Sequence, residues 1–232
     1  MDMLLQIAIA ALPVIMAITL HEMAHGYAAL ALGDDTAKQM GRLSANPARH
    51  IDNVGTLIVP GVLILVQMLT IGRIVFIFGW AKPVPVSAWR FRDPRRGMAL
   101  VAAAAPLANF ILAWLGALAL HGVDSLPEHA GDIVEALLTT FILANLVLGL
   151  FNLLPIPPLD GGRIVVGILP LRLAQAWARL ERAGIVVVLL VVFLLPRLMA
   201  EFGIQFDPVG SALNRLLPWA FQLVYRLAGL DA

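Results

Sequence analysis

Charged residues along this chain leave long apolar intervals between them. Met3 to Leu20 contains none, Gly26 to Leu32 is again uncharged, and further apolar runs cover Gly55–Ile71, Met98–Leu120, Ile133–Leu154 and Gly184–Met199. A helix needs roughly 20 apolar residues to cross a bilayer, so the pattern predicts about five crossings, the last extendable toward Phe206. Val209–Leu227 carries Asn214, Arg215, Pro218 and Arg226, and reads equally as a further span or as an interfacial amphipathic helix. The expected fold class is an all-α polytopic membrane protein with five to six transmembrane helices. One interruption differs in kind. Ile74–Phe78 is β-branched and aromatic, and Lys82-Pro83-Val84-Pro85-Val86 cannot be helical in its middle. These residues predict a short extended, re-entrant β-like segment, which at membrane depth must be enclosed by protein or line a water-filled cavity.

The connecting segments set the orientation. Lys38, Arg42 and Arg49 fall in one, Lys82, Arg90, Arg92, Arg95 and Arg96 in another, and Arg163, Arg172, Arg179 and Arg182 in a third. The segment Gly122–Asp132 holds Asp124, Glu128 and Asp132 without Lys or Arg. Positive loops stay in the cytoplasm, so the N-terminus is expected outside and the end of the first helix inside. Both segments flanking Gly55–Ile71 are basic, which a single span would not allow. A return of the chain from Arg73 to Val86 through the protein removes the conflict.

Composition agrees. Sixty per cent of residues are hydrophobic, 13% are charged, and mean hydropathy is +0.89, outside the range of soluble domains. A net charge of +1 without a basic tract argues against a nucleic-acid partner. Cysteine is absent, which excludes thiolate ligands. The N-terminus lacks a basic region and its apolar run continues to Leu32, so it reads as a retained helix rather than a signal peptide.

Against this background His21-Glu22-Met23-Ala24-His25 stands out. An ionisable group inside a span costs about 2.5–3.5 kcal/mol on insertion scales, and a metal ion is the obvious compensation. On a helix the two imidazoles lie one turn apart on one face, as a zinc pair requires. Glu22, offset by one residue, can serve as general base. The expectation is one zinc ion per chain, bound inside the membrane. A third ligand should come from another span. Asn152-Leu153-Leu154-Pro155-Ile156-Pro157-Pro158-Leu159-Asp160-Gly161-Gly162 closes the fourth apolar run, and Asp160 is its only acid. Its second reading is a capping or turn aspartate before the glycines.

His21–His25 together with Asn152-x-x-Pro155-x-x-x-Leu159-Asp160-Gly161 resembles the site-2 protease family of intramembrane zinc metalloproteases, peptidase family M50. Ala105-Pro106-Leu107-Ala108-Asn109 is similar to that family's Gly-Pro-x-x-Asn segment, with Ala105 in place of Gly. Asn46–Asp52 and Phe78–Val86 resemble segments of its compact branch, which has no PDZ domain. The resemblance runs from about Ile15 to Gly162. It implies metal ligands His21, His25 and Asp160, with Glu22 as general base on a zinc-bound water. The partners it implies are the lipid bilayer and a transmembrane protein substrate, cut within or near a helix. The expected location is the bacterial plasma membrane, multi-pass, with the site toward the cytoplasm. One domain over residues 1–232 is expected, with a catalytic core at about 1–163 and C-terminal helices at about 164–232. Asn109 and Asn152 are candidates for holding substrate backbone or the oxyanion, and Asn109 reads equally as a cross-link between membrane helices.

Other polar residues have plainer readings. His50 reads as interfacial, Asp52 as a turn or cap residue, and His121 and His129 as solvated. Trp80, Trp89 and Trp219 fit interfacial anchoring. A membrane zinc protease of prenylated or short peptides and a non-catalytic metal-binding membrane protein are the competing functions.

Overall fold

The apolar runs form helices whose outward faces remain apolar, as in Leu4, Leu12, Leu65 and Leu69, all more than half exposed. The computed structural model describes residues 3–70, 72–74 and 79–230. Among the described residues, four helical stretches are long and apolar enough to cross a membrane: Met3–Ala31, Asn53–Thr70, Pro94–Ser125 and Glu128–Asn152. The chain is an all-helical membrane protein, and among the described residues no strand is formed.

Helix α1 spans Met3–Ala31. Gly33, at φ +98°, ends it in the left-handed conformation glycine adopts without strain, and the Asp34 N–H turns back to the Ala29 carbonyl. A single turn, α2 (Thr36–Gln39), follows. The next long helix opens with a π-helical stretch, Asn53–Ile58, and continues as α3 (Val59–Thr70). Asp52 caps it by accepting from the Val54 and Gly55 N–H groups, as its sequence position suggested. Helix α4 (Pro94–Leu120) starts with Pro94 just after Asp93, whose carboxylate accepts from the Arg95 and Arg96 N–H groups. Helix α5 (Glu128–Asn152) comes after a short connector, and α6 (Asp160–Ile168) and α7 (Leu171–Arg179) follow the proline-broken stretch. The expected fifth apolar run is helical as α8 (Gly184–Leu189), a π-helical stretch and α9 (Leu195–Glu201). The last helix is α10 (Pro208–Leu227).

Helix α4 is the centre of the molecule and packs against α1, α5 and α6. Small side chains allow this closeness. Ala105, Ala113 and Ala117 are fully buried, and a Cβ at Gly116 would stand 3.0 Å from Ile142 of α5. Ala220 and Val224 of helix α10, with Ala228 just past its end, join the same core as Ala113, Ala117, Ile142 and Leu146. His121, expected to be solvated, is exposed and also donates to the Ala228 carbonyl at 2.7 Å.

The expected extended segment falls in two parts. Val75–Phe78 lie outside the described residues, whereas 79–87 form non-helical chain folded back against the start of the second long helix. The Trp80 N–H donates to the Gly55 carbonyl, 3.1 Å, and its carbonyl accepts from Thr56 Oγ1, 2.9 Å. The Lys82 N–H donates to the His50 carbonyl, 2.9 Å, and its carbonyl accepts from buried Arg42, 2.6 Å. Residues 80–82 therefore sit beside residues 50–56, so the two basic segments share one side of the molecule.

The far end of this chain is pinned by Asp34, which is fully buried. Its carboxylate accepts from the Ser87 N–H at 2.6 Å and from the Thr36 N–H and hydroxyl, with Arg90 3.7 Å away. Burial pushes the Asp34 pKa up, but these donors and the Arg90 charge outweigh it and hold the carboxyl below its ordinary 3.8. A carboxylate depressed in the fold stabilises it above the ordinary value and stops doing so as pH falls through the folded value. Asp34→Ala is expected to cost about 2 kcal/mol at pH 7, a hydrogen-bonded charge being worth about 1.5–3. The deficit should shrink as pH falls through the folded value. Thermal unfolding in detergent at pH 7 and at acid pH checks this; a deficit that does not change with pH would contradict it.

Candidate active site

Four residues apart on α1, His21 and His25 face α4 and α6 with ring centroids 4.9 Å apart. Each ring is fixed through Nδ1. His21 donates to Asn109 Oδ1 at 2.6 Å, and His25 donates to the Val101 carbonyl at 3.0 Å. Both Nε2 atoms are left with lone pairs, and both point at Asp160. His21 Nε2 lies 3.3 Å from one Asp160 oxygen and His25 Nε2 lies 3.3 Å from the other.

Asp160 reaches this position because the chain before it cannot be helical. After α5 it runs through Leu153–Leu159, with a cis bond between Pro157 and Pro158, and re-forms helix at Asp160 itself. Gly161 and Gly162 let that first turn lie directly on the broken segment. A Cβ at Gly161 would strike the Leu153 and Leu154 carbonyls, and one at Gly162 would come within 2.7 Å of the Pro157 nitrogen. The capping reading of Asp160 does not describe it. Leu159 holds the N-cap position, no side chain caps the helix, and Oδ2 is buried without a hydrogen-bond partner.

One residue along from His21, Glu22 accepts the Val84 N–H at 3.1 Å. Glu22 and His21 line a cavity of about 700 Å³ walled by apolar groups such as Ile15, Ile18, Phe151 and Val188. Gly79, Trp80 and Ala81 form another part of its wall.

A family model for peptidase family M50 matches residues 125–195, the stretch that contains Asp160. The chain is also 40% identical over 187 residues to "Putative zinc metalloprotease YwhC" of Bacillus subtilis (strain 168), an alignment covering 78% of each protein. The chain belongs to peptidase family M50. No solved structure matches it.

This M50 protein is a zinc metalloprotease, as its resemblance to the site-2 protease family implied, and membership retires the reading as a non-catalytic metal carrier. The site suits the metal. His21, His25 and Asp160 offer three ligand atoms within 4.8 Å of one another. Two imidazole nitrogens and a carboxylate with a buried, partnerless oxygen converge on one point, and a cation between them would satisfy all three. Two His and one Asp are an open donor set of the kind catalytic zinc takes.

Other expected site residues of the peptidase fall in different places. Asn152 lines the cavity, its amide donating to the Leu148 carbonyl at 3.0 Å. Asn109 is fully buried behind His21 and donates to Asn145 Oδ1 at 2.8 Å. Its side chain links α4 to α5 through Asn145 and to α1 through His21. His50, expected at the interface and not as a ligand, is 3% exposed, lines the cavity, and donates from Nε2 to the Ser44 carbonyl. Trp80, expected as an interfacial anchor, lies with its ring over Gly55 on the cavity wall, and Trp89 and Trp219 are exposed. Asn145 was missed. Its signal was available, a lone amide in the middle of an apolar span.

Proposed function

We propose that this M50 peptidase cuts peptide bonds in or near transmembrane helices of other membrane proteins, with His21, His25 and Asp160 holding zinc and Glu22 acting as general base. The observation that carries the reading is the placement of His21 and Glu22 on the wall of an apolar cavity enclosed by α1, α5 and residues 79–81. Zinc, when bound, supplies Lewis acidity and lowers the pKa of a coordinated water to about 7. Glu22 is held by the Val84 N–H at Oε2, which leaves Oε1 to take the proton. Asn152 is the candidate for steadying the substrate carbonyl.

A helical substrate hides its carbonyls and must unwind before it can be cut. Trp80 and Lys82 spend their backbone polar groups on the protein, and Gly79, Trp80 and Ala81 line the cavity. We take this stretch as the re-entrant β-like edge on which an unwound substrate pairs as an added strand. The basic connections support a site toward the cytoplasm of a bacterial plasma membrane. The four apolar helices and the run 184–201 support a reading with five crossings. A single domain fits best, because Val188 of the C-terminal part lines the cavity and Gly184 packs on Pro158.

The test is cleavage in vesicles of a peptide with one transmembrane helix, with products mapped by mass spectrometry. Cuts are expected in the helix or beside its cytoplasmic end, to stop with a zinc chelator and to resume when zinc is restored. A Gly placed near that end should raise the rate roughly fivefold, since Gly weakens a helix by about 1 kcal/mol. An enzyme that cut only short soluble peptides and spared the membrane substrate would refute the proposal.

A further inference from the structure

Asn109 and Asn145 are fully buried in otherwise apolar stretches of α4 and α5, where an amide is retained only if its hydrogen bonds are met. Their bonds run in one direction. Asn145 Nδ2 donates to the Phe141 carbonyl at 2.8 Å, an oxygen that can only accept. This turns Asn145 Oδ1 toward α4, where it accepts from Asn109 Nδ2 at 2.8 Å. Asn109 is left with Oδ1 facing His21, and accepts from Nδ1 at 2.6 Å. Every amide in the row is therefore oriented by the carbonyl at its end. A neutral histidine donating from Nδ1 carries its lone pair on Nε2, the atom that faces Asp160.

We propose that Asn145 is a positioning residue for the metal site, acting through Asn109 to hold His21 in the Nδ1–H tautomer and in its ring orientation. The two histidines are secured by different means. His25 leans on a backbone carbonyl of α4, which no side-chain change removes. His21 depends on a row of side chains across three helices. Partners behind a ligating imidazole commonly fix its tautomer and basicity, and their loss typically lowers metal affinity about 10–100-fold.

The inference rests on His21 being a zinc ligand, and the experiment separates the two claims. Zinc affinity of the full-length protein in detergent is measured by chelator competition for wild type, Asn109→Ala, Asn145→Leu, the double variant and His21→Ala. Asn145→Leu and Asn109→Ala are each expected to weaken zinc about 10–100-fold. The double variant should be no weaker than Asn109→Ala, because Asn145 has no other route to the metal. Nitrogen-15 spectra of the metal-free protein should show His21 as Nδ1–H in wild type and as a tautomer mixture in Asn145→Leu, a change that helix cross-linking alone would not produce. Where Asn145→Leu does not fold, Asn145→Ala carries the same expectations. Wild-type zinc affinity in the Asn145 variants, or losses that add in the double variant, overturns the proposal. If His21→Ala binds zinc like wild type, the ligand assignment itself has failed. If His21→Ala loses zinc while the Asn145 variants do not, only the positioning role has failed.

Discussion

Glu22→Gln is expected to keep its zinc and lose its activity. The substitution conserves shape, and a glutamine carbonyl can still accept the Val84 N–H that now meets Glu22 Oε2. What it removes is the ability to take a proton, and a positioned general base contributes about 10²–10⁴-fold in rate. Metal content by elemental analysis should match wild type, while turnover of a transmembrane substrate falls by that factor. Undiminished turnover would remove Glu22 from the chemistry. Loss of zinc would instead make it a ligand, and the open donor set would have to be redrawn.

Asp160→Asn should act on the metal first. The carboxylate is 5% exposed and has two imidazoles within 3.3 Å. An amide there has similar volume but no negative charge, and turns a hydrogen-bearing nitrogen toward at least one partner. Removing a ligand should cost more than removing a partner behind one, so zinc affinity should fall by more than about 100-fold. Chelator competition measures it, and full zinc retention would exclude Asp160 from the ligand set. Thermal unfolding of the metal-free forms gives the control. If the folded variant lacks zinc, the loss lies in the site and not in the helices.

Much of this was legible because its signals are local. Two histidines four residues apart share a helix face whatever the tertiary structure does, and the stretch from Pro155 to Pro158 cannot continue α5 anywhere. The uncharged runs likewise fixed the class of the fold, since their length alone suits a bilayer. Legibility ended where a residue's meaning depends on what the chain brings beside it. His50 sits in a basic, polar connection, and its burial follows only from the return of residues 79–87 against it. Trp80 has the composition of an interfacial anchor, yet Gly55 leaves room for its ring in the site. Asn145 announced a buried partner without naming it, because three helices had to meet before the row to His21 existed. Asp34 reads as a loop acid until Ser87, far along the chain, delivers its N–H to it.

The contact between Val84 and Glu22 affects how this site can be dissected. Pro83 and Pro85 have no N–H, so within that triplet the donor reaching the carboxylate belongs to Val84 alone. It belongs to the main chain, which replacing side chains leaves intact. An alanine scan would keep the bond at position 84 and record only altered packing against α1. Amide-to-ester exchange, or a third proline, deletes the donor itself. Part of this active site is thus written in peptide groups, invisible to the commonest form of mutagenesis and open to backbone chemistry.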